Sequence, residues 1–199
     1  MNKKILLASI FTLILSATAF ADDPLTSTGS GVFIGGQLGM SDMHYSGTVY
    51  LLPTNDVESR KFAGRFYAGY SFTDFIAAEL GYGYYGSPVI KDKATGNTQD
   101  FIQQGLDLLC KISIPLDYGF SFYLKGGANL VHRGALTNRG GLFTDQNAHY
   151  KVAPEATIGA AYFFIPNMGL DISASRTFKN GSLPNMDFFA LGFIYKFNF

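Results

Sequence analysis

The chain has no tryptophan, a single cysteine (Cys110), and charged side chains at only 15% of its 199 positions. One cysteine excludes an intramolecular disulfide framework. The 15 basic and 15 acidic residues cancel, so no basic field exists to draw in nucleic acid. Long apolar runs are scarce too. Outside residues 5–15, no stretch approaches the roughly 18 residues that a membrane-spanning helix requires.

What is present begins with an address. Lys3 and Lys4 precede the apolar run at 5–15, and Ala19-Phe20-Ala21 follows as a small-residue cleavage site. That order predicts a secretory signal peptide over residues 1–21, too short and wrongly flanked for a permanent helix. No cysteine follows the cleavage point, so no lipid anchor is expected there. Loss of Lys3 and Lys4 leaves 13 basic against 15 acidic residues, a formal charge of −2. The roughly 180 remaining residues suit one domain.

The dominant signal is alternation. Phe189, Leu191, Phe193, Tyr195, Phe197 and Phe199 share one parity, while Ala190, Gly192, Ile194, Lys196 and Asn198 share the other. Successive side chains on a strand point to opposite faces, so one face is greasy and the other small or polar. A soluble eight-stranded barrel fills its interior with apolar side chains and solvates its outside, the inverse of this pattern. Lipid outside and a narrow polar lumen inside account for it. The same period recurs at 32–41, 61–72, 75–85, 101–114, 120–133, 150–163 and 169–178, which with 189–199 makes eight strands. Each is long enough to cross a bilayer when tilted. Pro154 is out of place in the sixth because it cannot donate to a ladder; it predicts a bulge or an end above the membrane.

Connections alternate in length. Thr73-Asp74, 115–119 and 165–168 are tight; 42–60, 86–100, 134–149 and 179–187 are longer and more polar. The fold class is therefore all-β, an eight-stranded antiparallel transmembrane up-and-down β-barrel with short periplasmic turns and longer extracellular loops. Residues 22–30 are expected to form a short periplasmic lead and 31–199 the barrel domain. Tyr70, Phe72 and Phe75 near the short turns, with Tyr84 and Tyr85 at the opposite ends, are expected in two interfacial girdles.

Four segments carry a family likeness: Gly31-Val32-Phe33-Ile34-Gly35-Gly36-Gln37-Leu38-Gly39, Ala68-Gly69-Tyr70-Ser71-Phe72, Glu79-Leu80-Gly81-Tyr82, and Leu191-Gly192-Phe193-Ile194-Tyr195-Lys196-Phe197. Across 31–199 the chain resembles the small OmpA/OmpX-type outer membrane barrels. The ending Tyr195-Lys196-Phe197-Asn198-Phe199 also resembles the C-terminal assembly signal of such barrels, carried by Tyr195, Phe197 and Phe199. The resemblance implies a bacterial outer-membrane location and an encounter with the outer-membrane assembly machinery. The chain stops at the closing strand, so the peptidoglycan-binding domain of full-length OmpA is expected to be absent.

Alternation also places eight charges on the inward parity: acids Glu79, Asp107, Glu155 and Asp171, and bases Arg65, Lys111, Lys125 and Lys196. The interior of an eight-stranded barrel is just wide enough for side chains to fill. Unpaired charges there are costly and paired ones tolerable, so a salt-bridge plug is expected, as the family resemblance also implies. The competing reading is a narrow gated channel for small solutes, opened by re-pairing these charges.

Catalysis finds little support. His44 and His149 fall in or beside long loops without metal-ligand spacing, and His132 is followed by Arg133-Gly134-Ala135 rather than the His-x-Ser pair of lipid A deacylases. Cys110 falls on the lipid-facing parity as a small apolar residue. No enzyme activity, cofactor or metal is expected. The expected partners are outer-membrane lipid and lipopolysaccharide and the assembly machinery, with no nucleic acid, for a monomer. The first long loop combines Tyr45, Tyr50, Leu51 and Leu52 with Asp56 and Glu58, a mixed surface for a host or surface ligand. A structural, surface-exposed envelope role leads, with a surface adhesin beside the channel as the alternative.

Overall fold

A computed structural model of the chain describes residues 29–44, 55–92, 98–134, 137–138, 149–181 and 183–197. The expected signal peptide, most of the expected lead, much of the long loops and Phe199 lie outside them. Twelve strands run through the described residues: β1 (Gly31–His44), β2 (Asn55–Glu58), β3 (Arg60–Ser71), β4 (Ile76–Tyr84), β5 (Val89–Asp92), β6 (Thr98–Asp100), β7 (Gln103–Pro115), β8 (Phe120–Arg133), β9 (Thr137–Asn138), β10 (His149–Ile165), β11 (Met168–Thr177) and β12 (Asn185–Lys196). Eight long strands close into an antiparallel barrel in the order β1-β12-β11-β10-β8-β7-β4-β3. The ladder from Phe33↔Lys196 to His44↔Asn185 joins first strand to last. Closure leaves no edge in the barrel, the condition for a sheet to sit in hydrocarbon.

The four short strands form a second antiparallel sheet in the order β2-β5-β6-β9. It draws on three of the segments expected to be loops. Its strands are two to four residues long, too short to display a period. The barrel strands also run further than the alternation indicates. β1 continues to His44 and β12 starts at Asn185, and these added residues pair with each other.

Each barrel strand alternates buried and exposed residues; β4 reads exposed at Ile76, Leu80, Tyr82 and Tyr84 and buried at Ala77, Glu79, Gly81 and Gly83. Outward residues are large and apolar: Phe66 is 74% exposed, Leu108 62%, Leu191 61% and Phe189 60%. So large a continuous apolar surface marks lipid contact. It ends toward the long loops in a row of charges across four neighbouring strands. Arg60, Asp42, Asp187 and Arg176 are successive Cα partners. Arg60 Nε meets Asp42 Oδ2 at 3.0 Å, and Arg176 grips Asp187 through two bonds of 2.6 Å.

The tight turns are held by local bonds. Phe72 N–H and Thr73 N–H donate to Ile76 O, while Thr73 Oγ1 accepts from the N–H groups of Phe75 and Ile76. A 3-10 turn at Asp117–Gly119 links β7 and β8. There Gly119 takes φ +80 and a Cβ would run into Phe163 O, so glycine alone fits. The turn between β10 and β11 is tied to the closing strand: Lys196 N–H donates to Asn167 O at 2.8 Å and Asn167 Nδ2 to Lys196 O at 3.1 Å.

Two expectations need correction. Pro154 makes no bulge; it pairs in register with Ala128, and the register shift in β10 falls instead between Phe163 and Ile165. Its carbonyl accepts from Phe178 N–H, one residue past the end of β11, so the missing donor faces a place where the ladder has already stopped. Tyr85 is no girdle residue. It is 2% exposed and packs inside edge-on to Phe188 at 5.8 Å. Adjacent residues on a strand take opposite faces, so Tyr84 outward requires Tyr85 inward. Tyr70, Phe72 and Tyr84 do face outward near strand ends.

The lipid face yields a test. Leu108→Arg, near the middle of β7, should cost about 2–4 kcal/mol in urea-unfolding measurements in bilayers, whereas Leu116→Arg in the turn should cost about 1 kcal/mol or less. Equal losses at the two sites would contradict the assigned lipid band.

Candidate functional site

The interior holds polar residues between apolar ends. Phe33, Tyr67, Ala77 and Ile194 cluster toward the tight turns. Met43, Ala63, Tyr85, Met186, Phe188 and Ala190 form a second cluster toward the long loops, and Val131, Ala153 and Leu183 a third. The lumen is thus not polar along its whole length. Along the lumen, Arg65, Glu79, Asp107, Lys111, Lys125, Glu155, Asp171 and Lys196 project inward from every barrel strand except β1, none more than 8% exposed, with Lys111 and Lys196 at the level of the tight-turn cluster. β1 contributes the buried Gln37.

Arg65 is the hub. Its Nε donates to Asp107 Oδ2 at 2.8 Å and its Nη2 to Glu79 Oε1 at 2.7 Å and to Asp107 Oδ1. Lys125 Nζ donates to both oxygens of Glu79 at 2.9 Å. Glu79 therefore lies between two cations, and Asp107 faces the guanidinium fork, the strongest geometry for such a pair. Gly81, the Cα partner of Asp107, provides the room. A Cβ at that position would run into the Arg65 guanidinium.

The other acids are held by neutral donors. Asp171 accepts from Tyr123 Oη and Gln37 Nε2. Glu155 accepts from Asn129 Nδ2 at 2.6 Å and Thr177 Oγ1 at 3.2 Å. Asn129 Nδ2 also donates to Tyr85 Oη at 3.0 Å. The eight inward charges therefore do not form one salt-bridge set. Among the described residues Arg65, Glu79, Asp107 and Lys125 pair with one another, and hydrogen bonds satisfy Asp171 and Glu155.

Two lysines part company. Lys111 and Lys125 are Cα partners on β7 and β8, an unfavourable pairing of like charges. Lys125 turns to Glu79. Lys111 lies over the rings of Tyr123, 4.5 Å from Nζ to centroid, and Phe33, 5.6 Å. Among the described residues it has no hydrogen-bond or ion-pair partner. Ring contacts contribute about 0.5–2 kcal/mol each, less than the several kcal/mol that burying an ion costs. Lys111 instead lines a cavity of about 80 Å³ at the tight-turn end, shared with Lys196, Ser71, Ser113 and Ser121. Lys196 Nζ donates to Gly29 O at 3.0 Å.

Tyr67 and Tyr123 carry no charge yet organise the cations around them. Tyr67 lies between Arg65, at 5.0 Å, and Lys125, at 4.8 Å, and Tyr123 between the two lysines. Both carry the inward parity of their strands, and that parity is the signal that finds them. The histidines stand apart. His44 Nε2 lies 2.9 Å from Asp187 Oδ2 on the outer rim, and His132 stacks on Tyr150. Among the described residues no group of three or more His, Cys, Asp or Glu is placed to hold a metal. Cys110 is exposed on the outer face. Tyr195 and Phe197 meet edge-on at 4.8 Å, and Phe197 N–H donates to Val32 O.

Comparison with known proteins agrees with this architecture. The OmpA-like transmembrane domain model matches residues 28–199. An uncharacterized protein of Coxiella burnetii (strain RSA 493 / Nine Mile phase I) is 27% identical over 216 aligned residues, covering 86% of this chain and 87% of its own. Neisserial surface protein A superposes with a TM-score of 0.62 at 13% identity, over 85% of this chain and 99% of that one. The outer membrane protein OprG of Pseudomonas aeruginosa gives 0.61 at 14% identity, over 89% and 100%. At such identities the two solved structures speak for the fold alone. With a closed lipid-facing barrel and a family match over nearly the whole barrel, the chain belongs to the OmpA-like transmembrane domain family and is an integral protein of the bacterial outer membrane.

Proposed function

We propose that this protein is a structural, surface-exposed component of the envelope, without catalysis, whose lumen is plugged by the network around Arg65. The observation that carries this reading is the continuous bonding from Asp107 through Arg65 and Glu79 to Lys125. Every one of these side chains is buried, and apolar clusters lie toward both barrel ends. To pass, an ion must separate charges in a low-dielectric interior, where each loss is large. In the same reading residues 1–21 direct export and are removed. Tyr195, Phe197 and Phe199 serve the assembly machinery, and the mature monomer contacts outer-membrane lipid and lipopolysaccharide.

A second reading, recognition of a surface ligand through the long loops, is favoured by the β2-β5-β6-β9 sheet, which hydrogen-bonds three of those loops together. A connected surface loses less entropy on binding than separate loops do. Deletion of the long loops, scored for adhesion to host cells and for solute uptake, separates the roles: the adhesin reading requires loss of adhesion alone.

Planar-bilayer recordings test the plug directly. The pure protein should show no large, steady conductance; a stable, weakly selective pore would overturn the reading. Arg65→Met leaves Asp107 and Glu79 with one guanidinium fewer and should cost about 3–5 kcal/mol of stability in urea titrations. In a double-mutant cycle with Asp107→Asn, the two losses should be strongly non-additive. Additive losses would show that the pair does not act as a unit.

A further inference from the structure

The cationic side chains are unevenly distributed along the lumen. Arg65 and Lys125 are neutralised in the middle by Asp107 and Glu79. Lys111 and Lys196 lie toward the tight turns and line one cavity of about 80 Å³. Lys111 is 8% exposed and, among the described residues, has neither a hydrogen bond nor an ion pair. Its ammonium lies over the rings of Phe33 and Tyr123. The hydroxyl residues Ser71, Ser113 and Ser121 line the same space. Asp74 is also on the lining; its carboxylate accepts from Gly29 N–H and attracts the Lys196 ammonium, which leaves Lys111 as the principal anchor for a further anion.

We propose that this cavity is an oxyanion site, entered from the periplasmic side and taking a small phosphate or carboxylate between Lys111 and Lys196. An ammonium presents three donors and no acceptor, and the serine hydroxyls add neutral donors. A phosphate or carboxylate oxygen satisfies both kinds of group with short, charge-assisted bonds. The cavity's volume limits the ligand to a small ion. The assignment goes beyond the plug and stands independently of it, since a conducting lumen would leave both lysines in place.

The test uses the full-length barrel from outer membranes, in detergent micelles with a constant chloride background. Inorganic phosphate and acetate are titrated separately by calorimetry. Saturable binding of either ion supports the site and identifies its class; binding of neither overturns it. Lys111→Met should weaken binding roughly tenfold or more, the effect of losing one charged hydrogen-bonding partner. Lys111→Arg should preserve it, and Arg60→Gln on the outer rim should leave it unchanged. Equal binding by Lys111→Met would also overturn the assignment. Heat-dependent gel migration reports folding of each variant. If Lys111→Met does not fold, the lysine Cε–Hε signals of the native barrel decide. Phosphate-dependent shifts confined to Lys111 and Lys196 support the site, and uniform shifts of all lysines overturn it.

Discussion

The pairing of β1 with β12 is the constraint on which the remainder of the molecule depends. Hydrocarbon offers no partner to a backbone N–H or C=O, and an open sheet edge in lipid leaves a row of them unsatisfied. Twelve successive residue pairs from Phe33↔Lys196 to His44↔Asn185 close that edge. Closure then dictates two environments, lipid outside and a confined lumen inside, and each residue of a strand is assigned to one or the other by parity. The tie from Lys196 to Asn167 and that from Phe197 to Val32 fasten the closing strand at its tight-turn end.

A closed barrel of this size cannot leave its interior empty, and that demand shapes the lumen. Large residues on one strand need small ones opposite. Gly81 accommodates the Arg65 guanidinium, and Gly159 lies where the Tyr123 ring passes. The charges inside are arranged by the same economy of space. Arg65 and Lys125 take the two acids they can reach, leaving Asp171 and Glu155 to neutral donors. Lys111, beside Lys125 in register, is displaced toward the turns because its neighbour occupies Glu79. The polar middle and the apolar ends are consequently one packing solution, in which aromatic rings separate like charges.

Much of the barrel is legible residue by residue because period two is a local property. Phe66, Leu80, Leu108 and Phe189 face lipid as their parity dictates, and the inward parity of Arg65, Glu79 and Lys125 is equally local. Less legible are features that depend on neighbours far along the chain. Nothing near Asn55–Glu58 or Thr98–Asp100 marks them as strands, because the first is ordered by pairing with β5 of the next long loop and the second by pairing with β5 and with β9 of the loop after it. Pro154 looks like an interruption until the end of β11 is known. Tyr85 follows Tyr84 at the strand end like a second girdle residue, yet alternation assigns it to the interior.

The sequence by itself determined which face each barrel residue takes, how many strands cross, and which connections are tight. Those properties follow from side-chain alternation and turn chemistry within a few residues. Only the tertiary structure decided that Arg65 meets Asp107 and Glu79, that Lys111 forms no ion pair among the described residues, and that three of the long loops share a sheet. Register and strand tilt set those meetings, and both arise from closing all eight strands together, so no single strand encodes them.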